Sequence, residues 1–351
     1  MAAGTQRRVA VVLFNLGGPD ELDAVRPFLF NLFSDPAIIG LPALARIPLA
    51  SLIAGLRSWP AKLNYARMGG ASPLMTETLA QSEALKAALL ERLPAATIET
   101  FVAMRYWRPF SAETAAAVAA FAPDEVALVP LYPQFSTTTT ASSFKAWQAV
   151  YRGSGVVRSV CCYPTLDGLV EAHANRIEAA WNEAGRPEPV RLIFSAHGLP
   201  ERVVRAGDPY AAQVAATAQA VAMRLPTGLA DWRIAYQSRV GPMKWLGPST
   251  LDAIEAAASD GVGVVISPIA FVSEHVETLV ELDHDYRLRA QAAGCSPYVR
   301  APTLGVEAAF IDGLAGLVEA ALDRPGGVAP GSGFTCAAAW PKCPFRSEGH
   351  A

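Results

Sequence analysis

Six short, largely apolar runs, three in each half of the chain, each break off into a turn rich in glycine, proline or polar side chains. That repeated plan restricts the fold more than any other feature. The runs are Val9–Phe14, Thr100–Met104 and Val126–Leu131, then Val190–Phe194, Arg233–Tyr236 and Gly263–Ile266. Apolar runs without polar alternation suit parallel strands covered on both faces. Between them lie segments with helical patterning, near 22–33, 76–92, 112–121 and 142–150, and a further one over Glu307–Leu322. Each half therefore reads as strand–helix units of an α/β protein. The chemistry-bearing residues collect just after the strands, at the sheet edge where open parallel sheets bind ligands. The turn Asn15-Leu16-Gly17-Gly18-Pro19 follows the first strand but does not have the G-x-G-x-x-G spacing of a dinucleotide site.

The last run leads into PIAFVSEHVETLVELDHDY, Pro268–Tyr286, where Glu274, His275, Glu277, Glu281, Asp283, His284 and Asp285 crowd together. In an α-helix, Glu277, Glu281 and Asp285 share one face, with Glu274 leading the row. Like charges so stacked repel by a few tenths of a kcal/mol per pair. Two readings follow. The row is either a solvated face or a line of hard oxygen ligands that leads a divalent cation toward a proton acceptor. His197, in the turn after Val190–Phe194, is the candidate acceptor, because a neutral imidazole takes a proton near pH 7 or binds a borderline metal. His275 and His284 read as supporting or surface groups. Arg105, Tyr106, Trp107 and Trp245 suit either an aromatic slot or ordinary core, and Arg67 and Lys244 suit either ligand carboxylates or solvent.

Bulk properties remove several classes. The 351 residues suffice for two domains, and 52% hydrophobic against 17% charged residues is not a disordered composition. A net charge of −3 with scattered cations argues against nucleic acid as a partner. The N-terminal apolar run is too short for a signal peptide, and no stretch has an uninterrupted membrane-spanning length. The nearest, Ile38–Leu56, is broken by Pro42, Arg46 and Pro48, and reads as an apolar lip or short helices touching a membrane or a greasy ligand. Five cysteines, Cys161, Cys162, Cys295, Cys336 and Cys343, do not form a disulfide-framework pattern, so a reducing cytoplasmic setting is expected.

Seven stretches, taken together, resemble ferrochelatase. They are FNLGGP (Phe14–Pro19), GGASPL (Gly69–Leu74), LVPLYPQFSTTTT (Leu128–Thr140), FSAHGLP (Phe194–Pro200), GDPY (Gly207–Tyr210), YQSRVGPMKWLGP (Tyr236–Pro248) and SPIAFVSEHVETLVELDHDY (Ser267–Tyr286). The resemblance spans nearly the whole chain. It implies a chelatase-like fold, two Rossmann-like domains with parallel four-stranded sheets facing a central cleft. It also implies insertion of Fe2+ into protoporphyrin IX, the terminal step of haem synthesis. The expected domains are 1–160 with a porphyrin lip, and 161–304 carrying His197 and the acidic segment. A helix over 305–323 is expected to pack back on the first domain, ahead of a cysteine-bearing tail, 324–351.

By the same resemblance, His197 and Glu277 are the catalytic pair, and Glu281, Asp285 and Glu274 join them in handling the metal. Leu16, Arg105, Tyr106, Trp245 and Arg67 are the expected porphyrin contacts. Some members of the family hold a [2Fe–2S] cluster on one mid-chain and three C-terminal cysteines. Cys161 or Cys162, Cys336 and Cys343 are candidates here, while Phe345 stands where a third tail cysteine is expected, leaving Cys295 or the second of the Cys161–Cys162 pair to replace it. The alternatives are a coproporphyrin-using chelatase, a cobalt chelatase of related fold, and a tetrapyrrole or metal carrier without enzymatic activity. The YQSRVGPMKWLGP stretch argues against the cobalt enzyme. The expected location is cytoplasmic, peripheral to the inner membrane.

Overall fold

The computed structural model describes residues 7–331 apart from 240 and 242, together with 333 and 340–347. These residues group into two compact units, 1–162 with 314–331, and 163–313 with the residues from 332 onward.

The first unit begins with β1 (Arg8–Asn15), α1 (Val25–Phe33), α2 (Ala43–Arg67) and α3 (Leu74–Arg92). It continues through β2 (Thr97–Met104), α4 (Ser111–Phe121), β3 (Glu125–Pro130), α5 (Thr140–Val150) and β4 (Val156–Val160). The second unit holds α6 (Asp167–Glu183), β5 (Val190–His197), α7 (Glu201–Arg205), α8 (Tyr210–Ala222) and β6 (Trp232–Gln237). It then holds α9 (Thr250–Ser259), β7 (Gly263–Ser267), a π-helix (Glu277–Tyr286), α10 (Arg287–Ala292) and β8 (Tyr298–Arg300). The boundary between units falls inside α11 (Ala308–Leu322), after which β9 (Gly327–Ala329) returns to the first sheet.

Both sheets are wholly parallel, as expected of an α/β protein, and they share one strand order. The first runs β2-β1-β3-β4-β9 and the second β6-β5-β7-β8. In each, the opening strand lies between the second and third, so the order reverses beside it and creates a switch point at the carboxyl edge. The first sheet carries five strands rather than the expected four, because β9 pairs alongside β4 from Arg158↔Gly327 to Val160↔Ala329.

Alternation along β5 splits the core of the second unit. Leu192, Phe194 and Ala196 face α6 and α8, while Ile193 joins Val264 and Ile266 under α9, Leu282 and Tyr286. In the first unit, Phe14 meets Phe144 and Trp147 edge-on, with ring centroids 5.7 and 5.8 Å away. Local capping defines the helix starts. Ser249 and Asp252 form a reciprocal capping box on α9, and the Glu113 carboxylate accepts from the Phe110 N–H at 2.7 Å on α4.

Besides the strands β4, β8 and β9, which were not read from the sequence, three further features depart from the reading of the sequence. Helix α2 runs 25 residues straight through Pro48 and Pro60 instead of breaking into short pieces. Much of its surface faces solvent, where water can serve the carbonyls that proline leaves without a donor. Strand β5 extends to include His197, which therefore ends a strand rather than sitting in the turn. The acidic segment is a π-helix, whose i→i+5 bonding does not stack residues four apart as an α-helix does.

Candidate active site

The carboxyl edge of the second sheet places β5 beside both β6 and β7, and the loops after these three strands meet there. The loops after β5 and β6 are zipped together: Gly198 N–H donates to Gln237 O, Leu246 N–H to Leu199 O, and Glu201 N–H to Lys244 O, each at 2.9 Å. Gly198 is required for this approach, since a Cβ there would lie 2.8 Å from the Gln237 carbonyl and 3.4 Å from the Trp245 ring. Trp245 thus packs beside the residue that follows His197, and its indole nitrogen is buried without a partner. Lys244 reaches Glu201 at 3.2 Å on the exterior.

His197 ends β5 and Glu277 begins the π-helix, and the two meet, Nδ1 to Oε2, at 2.8 Å. The imidazole is 40% exposed and the carboxylate 23%. The Tyr210 hydroxyl donates to the His197 carbonyl at 3.1 Å, which explains the buried tyrosine of the GDPY stretch. Loss of water opposes charge on His197, but the adjacent Glu277 carboxylate outweighs it and holds the imidazole pKa above its ordinary value. Glu277 is itself desolvated, yet His197 holds it well below the usual carboxylate range. With Glu277 ionised, the shared proton resides on Nδ1 and leaves the Nε2 lone pair free to accept another.

His275 is buried beside Glu277 as well, with Nε2 3.9 Å from the same Oε2 oxygen and its ring 4.6 Å from Phe271. Burial pushes the His275 pKa down, against the pull of Glu277, and keeps this imidazole neutral. The sequence reading gave it only a supporting or surface place, so its burial against the central carboxylate is new information.

Glu281 is gripped by four donors. Oε1 accepts from Ser238 N–H at 2.9 Å and from the Tyr286 hydroxyl, while Oε2 accepts from the Ser238 hydroxyl and from Gln237 Nε2 at 3.3 Å. Gln237 is itself oriented by the Ser195 hydroxyl, which donates to its Oε1 at 2.7 Å, and Thr250 lies 2.8 Å beyond. The same amide donates to the Glu277 carbonyl at 2.8 Å. Burial and the Glu277 charge push the Glu281 pKa up despite these donors. Two carboxylates four residues apart thus have proton affinities driven in opposite directions, an arrangement that separates acid from base roles.

The remaining acids are placed apart from this pair. Glu274 is turned onto Arg300 at 2.6 Å and accepts from Thr303 N–H at 2.9 Å. Asp285 is half-exposed and meets His284 at 2.9 Å. In the first unit, Tyr106 N–H donates to Leu16 O at 2.9 Å, bringing two expected porphyrin contacts together. The Arg105 guanidinium reaches Asp35 at 2.6 Å and Ser142 at 2.7 Å, and the buried Tyr106 hydroxyl donates to the same Asp35 oxygen at 2.9 Å. That hydroxyl is therefore committed inside the protein. Arg67 is exposed, 3.4 Å from Asn64.

Cys161 and Cys162 are buried with their sulfurs 3.8 Å apart, and Cys343 is buried in the second unit. Cys295 packs into the second unit's core, its sulfur 3.6 Å from the Val262 carbonyl. Cys336 lies outside the described residues. Among the described residues, no group of three or more His, Cys, Asp or Glu side chains is placed to hold a metal ion.

Gln237, Ser238, Tyr286, Arg300 and Asp35 were not singled out from the sequence. Gln237 carried a usable signal, being an amide at the end of a buried strand, where an unpaired polar group is costly. Arg300 and Asp35 carried none, because their partners are remote in the chain.

The sequence profile of the family described as Ferrochelatase matches residues 8–322. A protein of Caulobacter vibrioides (strain NA1000 / CB15N) named Ferrochelatase is 60% identical over 341 residues, covering 97% of this chain and 98% of that one. Its namesake from Phenylobacterium zucineum (strain HLK1) is 59% identical, with 98% and 100% covered. One from Pelagibacter ubique (strain HTCC1062) is 44% identical, with 88% and 90% covered. Among solved structures, CbiX, titled the terminal enzyme for biosynthesis of siroheme in denitrifying bacteria, aligns with a TM-score of 0.48 at 17% identity, over 90% of this chain and 100% of that chain.

Proposed function

The chain belongs to the ferrochelatase family, and from that membership we propose that it inserts Fe2+ into protoporphyrin IX, with His197 as proton acceptor and Glu277 as its partner. The observation that carries the reading is the 2.8 Å contact between His197 Nδ1 and Glu277 Oε2 at the sheet's switch point. Porphyrin must lose two pyrrole protons as the metal enters. His197 Nε2 accepts each in turn, Glu277 stabilises the imidazolium, and the exposed side of the ring returns the proton to water. Glu281 and Asp285 supply oxygen ligands to the incoming ion. Glu281 does so by exchanging one of its hydroxyl donors for the metal, because each of its oxygens already accepts two hydrogen bonds. Trp245, packed beside Gly198, contributes a contact to the macrocycle. An anaerobic insertion assay with Fe2+ tests this directly: faster metallation of protoporphyrin IX than of coproporphyrin supports it. The reverse order moves the substrate to coproporphyrin, and absence of metallation removes the enzymatic reading.

We further propose peripheral attachment to an anionic lipid surface through α2. Leu44, Leu52, Leu56, Trp59 and Leu63 recur at helical spacing and are 48–94% exposed. The helix carries Arg46, Arg57, Lys62 and Arg67 and no acid. An exposed apolar stripe flanked by cations is the pattern of a helix lying in a membrane interface. Among the described residues, no helix is long and apolar enough to cross a membrane. The double variant Leu56→Glu/Trp59→Glu is expected to co-sediment several-fold less with vesicles containing phosphatidylglycerol, and unchanged sedimentation would count against the site.

The thiols support a separate proposal. Thiolates are the ligands of a [2Fe–2S] cluster, and we propose one on the family resemblance, the sulfurs of Cys161 and Cys162 lying 3.8 Å apart and Cys336 lying outside the described residues. Cys161, Cys162, Cys336 and Cys343 are the residues that would hold it. Protein purified without oxygen is expected to be brown, with equimolar iron and acid-labile sulfide. Colourless protein with titratable thiols at these positions would contradict it.

A further inference from the structure

Strand β8 sits at the edge of the second sheet, three residues long and, among the described residues, paired only with β7. Tyr298 and Arg300 lie two apart on it and so project to the same side. Both reach the π-helix. The Tyr298 hydroxyl donates to the Leu282 carbonyl at 2.6 Å. The Arg300 fork donates through Nε to Asp283 Oδ1 at 2.8 Å, through Nη2 to Asp283 Oδ2, and through Nη1 to Glu274 Oε1 at 2.6 Å. The guanidinium side chain is only 10% exposed, so this three-way contact is shielded from bulk water. Glu274 stands three residues before Glu277, and Asp283 two after Glu281. A single cation therefore ties together the two ends of the segment from which both carboxylates project. A π-helix is an uncommon geometry that its own backbone ladder holds less well than an α-helix.

We infer that Arg300 is a positioning residue for the reaction, clamping Glu274 to Asp283 so that Glu277 meets His197 and Glu281 meets Ser238. The inference rests on the proposed role of Glu277. Arg300 touches neither substrate nor the reacting atoms in this account. A displacement of about 1 Å in a reacting constellation costs about 10²-fold in rate, and that sets the size of the effect.

The test compares Arg300→Met, Arg300→Lys and Asp283→Asn in the full chain by anaerobic insertion kinetics, with near-ultraviolet circular dichroism as the check on folding. Arg300→Met is expected to lower kcat on the order of 10²-fold while the KM for porphyrin stays within about two-fold. Arg300→Lys keeps the charge but not the fork, and is expected to recover part of the loss. A merely structural role would not divide kcat from KM in this way. If Arg300→Met does not fold, Asp283→Asn carries the test, with the same fall in kcat at constant KM. A folded Arg300→Met with kcat within about three-fold of the parent, a loss confined to KM, or a folded Asp283→Asn with parental kcat would overturn the inference. Glu277→Gln, measured alongside, separates the two levels. If it is inactive while Arg300→Met is unimpaired, only the clamp falls; if it is fully active, the reading beneath the clamp falls as well.

Discussion

Glu277→Gln is expected to lower kcat by about 10²–10⁴-fold while protoporphyrin still binds with parental affinity. Glutamine keeps the shape and can still accept from Nδ1–H, but it removes the negative charge that stabilises the imidazolium. The pH profile supplies a second, independent signature. In the parent, Glu277 raises the His197 pKa above its ordinary value, so neutral base, and with it the rate, is lost as pH falls through that raised value. Without the carboxylate, the desolvation that lowers the pKa is left with only the weaker pull of Glu281 against it, and the acid limb of the residual activity moves to lower pH. Single-turnover metallation across pH, with porphyrin fluorescence quenching for affinity, measures both. An acid limb that stays in place, or turnover close to parental, would show that Glu277 is not the partner of the base.

His197→Ala is expected to produce a loss of the same order, about 10²–10⁴-fold, again without weakening porphyrin binding. The more discriminating measurement is the double variant. Two groups acting as one unit give losses that do not multiply, because the second substitution removes something already disabled. The combined His197→Ala/Glu277→Gln loss should therefore match the larger single loss. Multiplied losses would assign the two side chains to separate steps and would undo the coupled-pair account drawn from their 2.8 Å contact.

Much of this arrangement was legible from residue order alone, and the reasons are physical. Unbroken apolar runs such as Val9–Phe14 and Gly263–Ile266 are strands because both faces are covered, and burial of that kind writes itself continuously into a sequence. His197 and Glu277 were assigned to one sheet edge because each comes after a buried strand of the second half, Val190–Phe194 and Gly263–Ile266. Strand β4, whose VVRSV sequence is interrupted by Arg158 and Ser159, was missed, as were the short edge strands β8 and β9, since three residues carry no periodicity and are defined by the partner they lie against. The π-helix was illegible because propensity does not distinguish it from an α-helix. Contacts from outside the segment, Gln237 on the Glu277 carbonyl and Tyr298 on that of Leu282, occupy carbonyls along it. The acid row was thereby divided: Glu274 went to a cation far along the chain, and Asp285 to its neighbour His284.

The return of β9 to the first sheet has a consequence for how the protein is made. The first unit closes only with residues that follow the whole of 163–313, so during synthesis β4 waits with its outer hydrogen-bonding edge bare. A nascent chain released before Gly327 keeps that edge open to any passing strand. Among the described residues, the last strand to leave the ribosome is the one that seals the first sheet to be made.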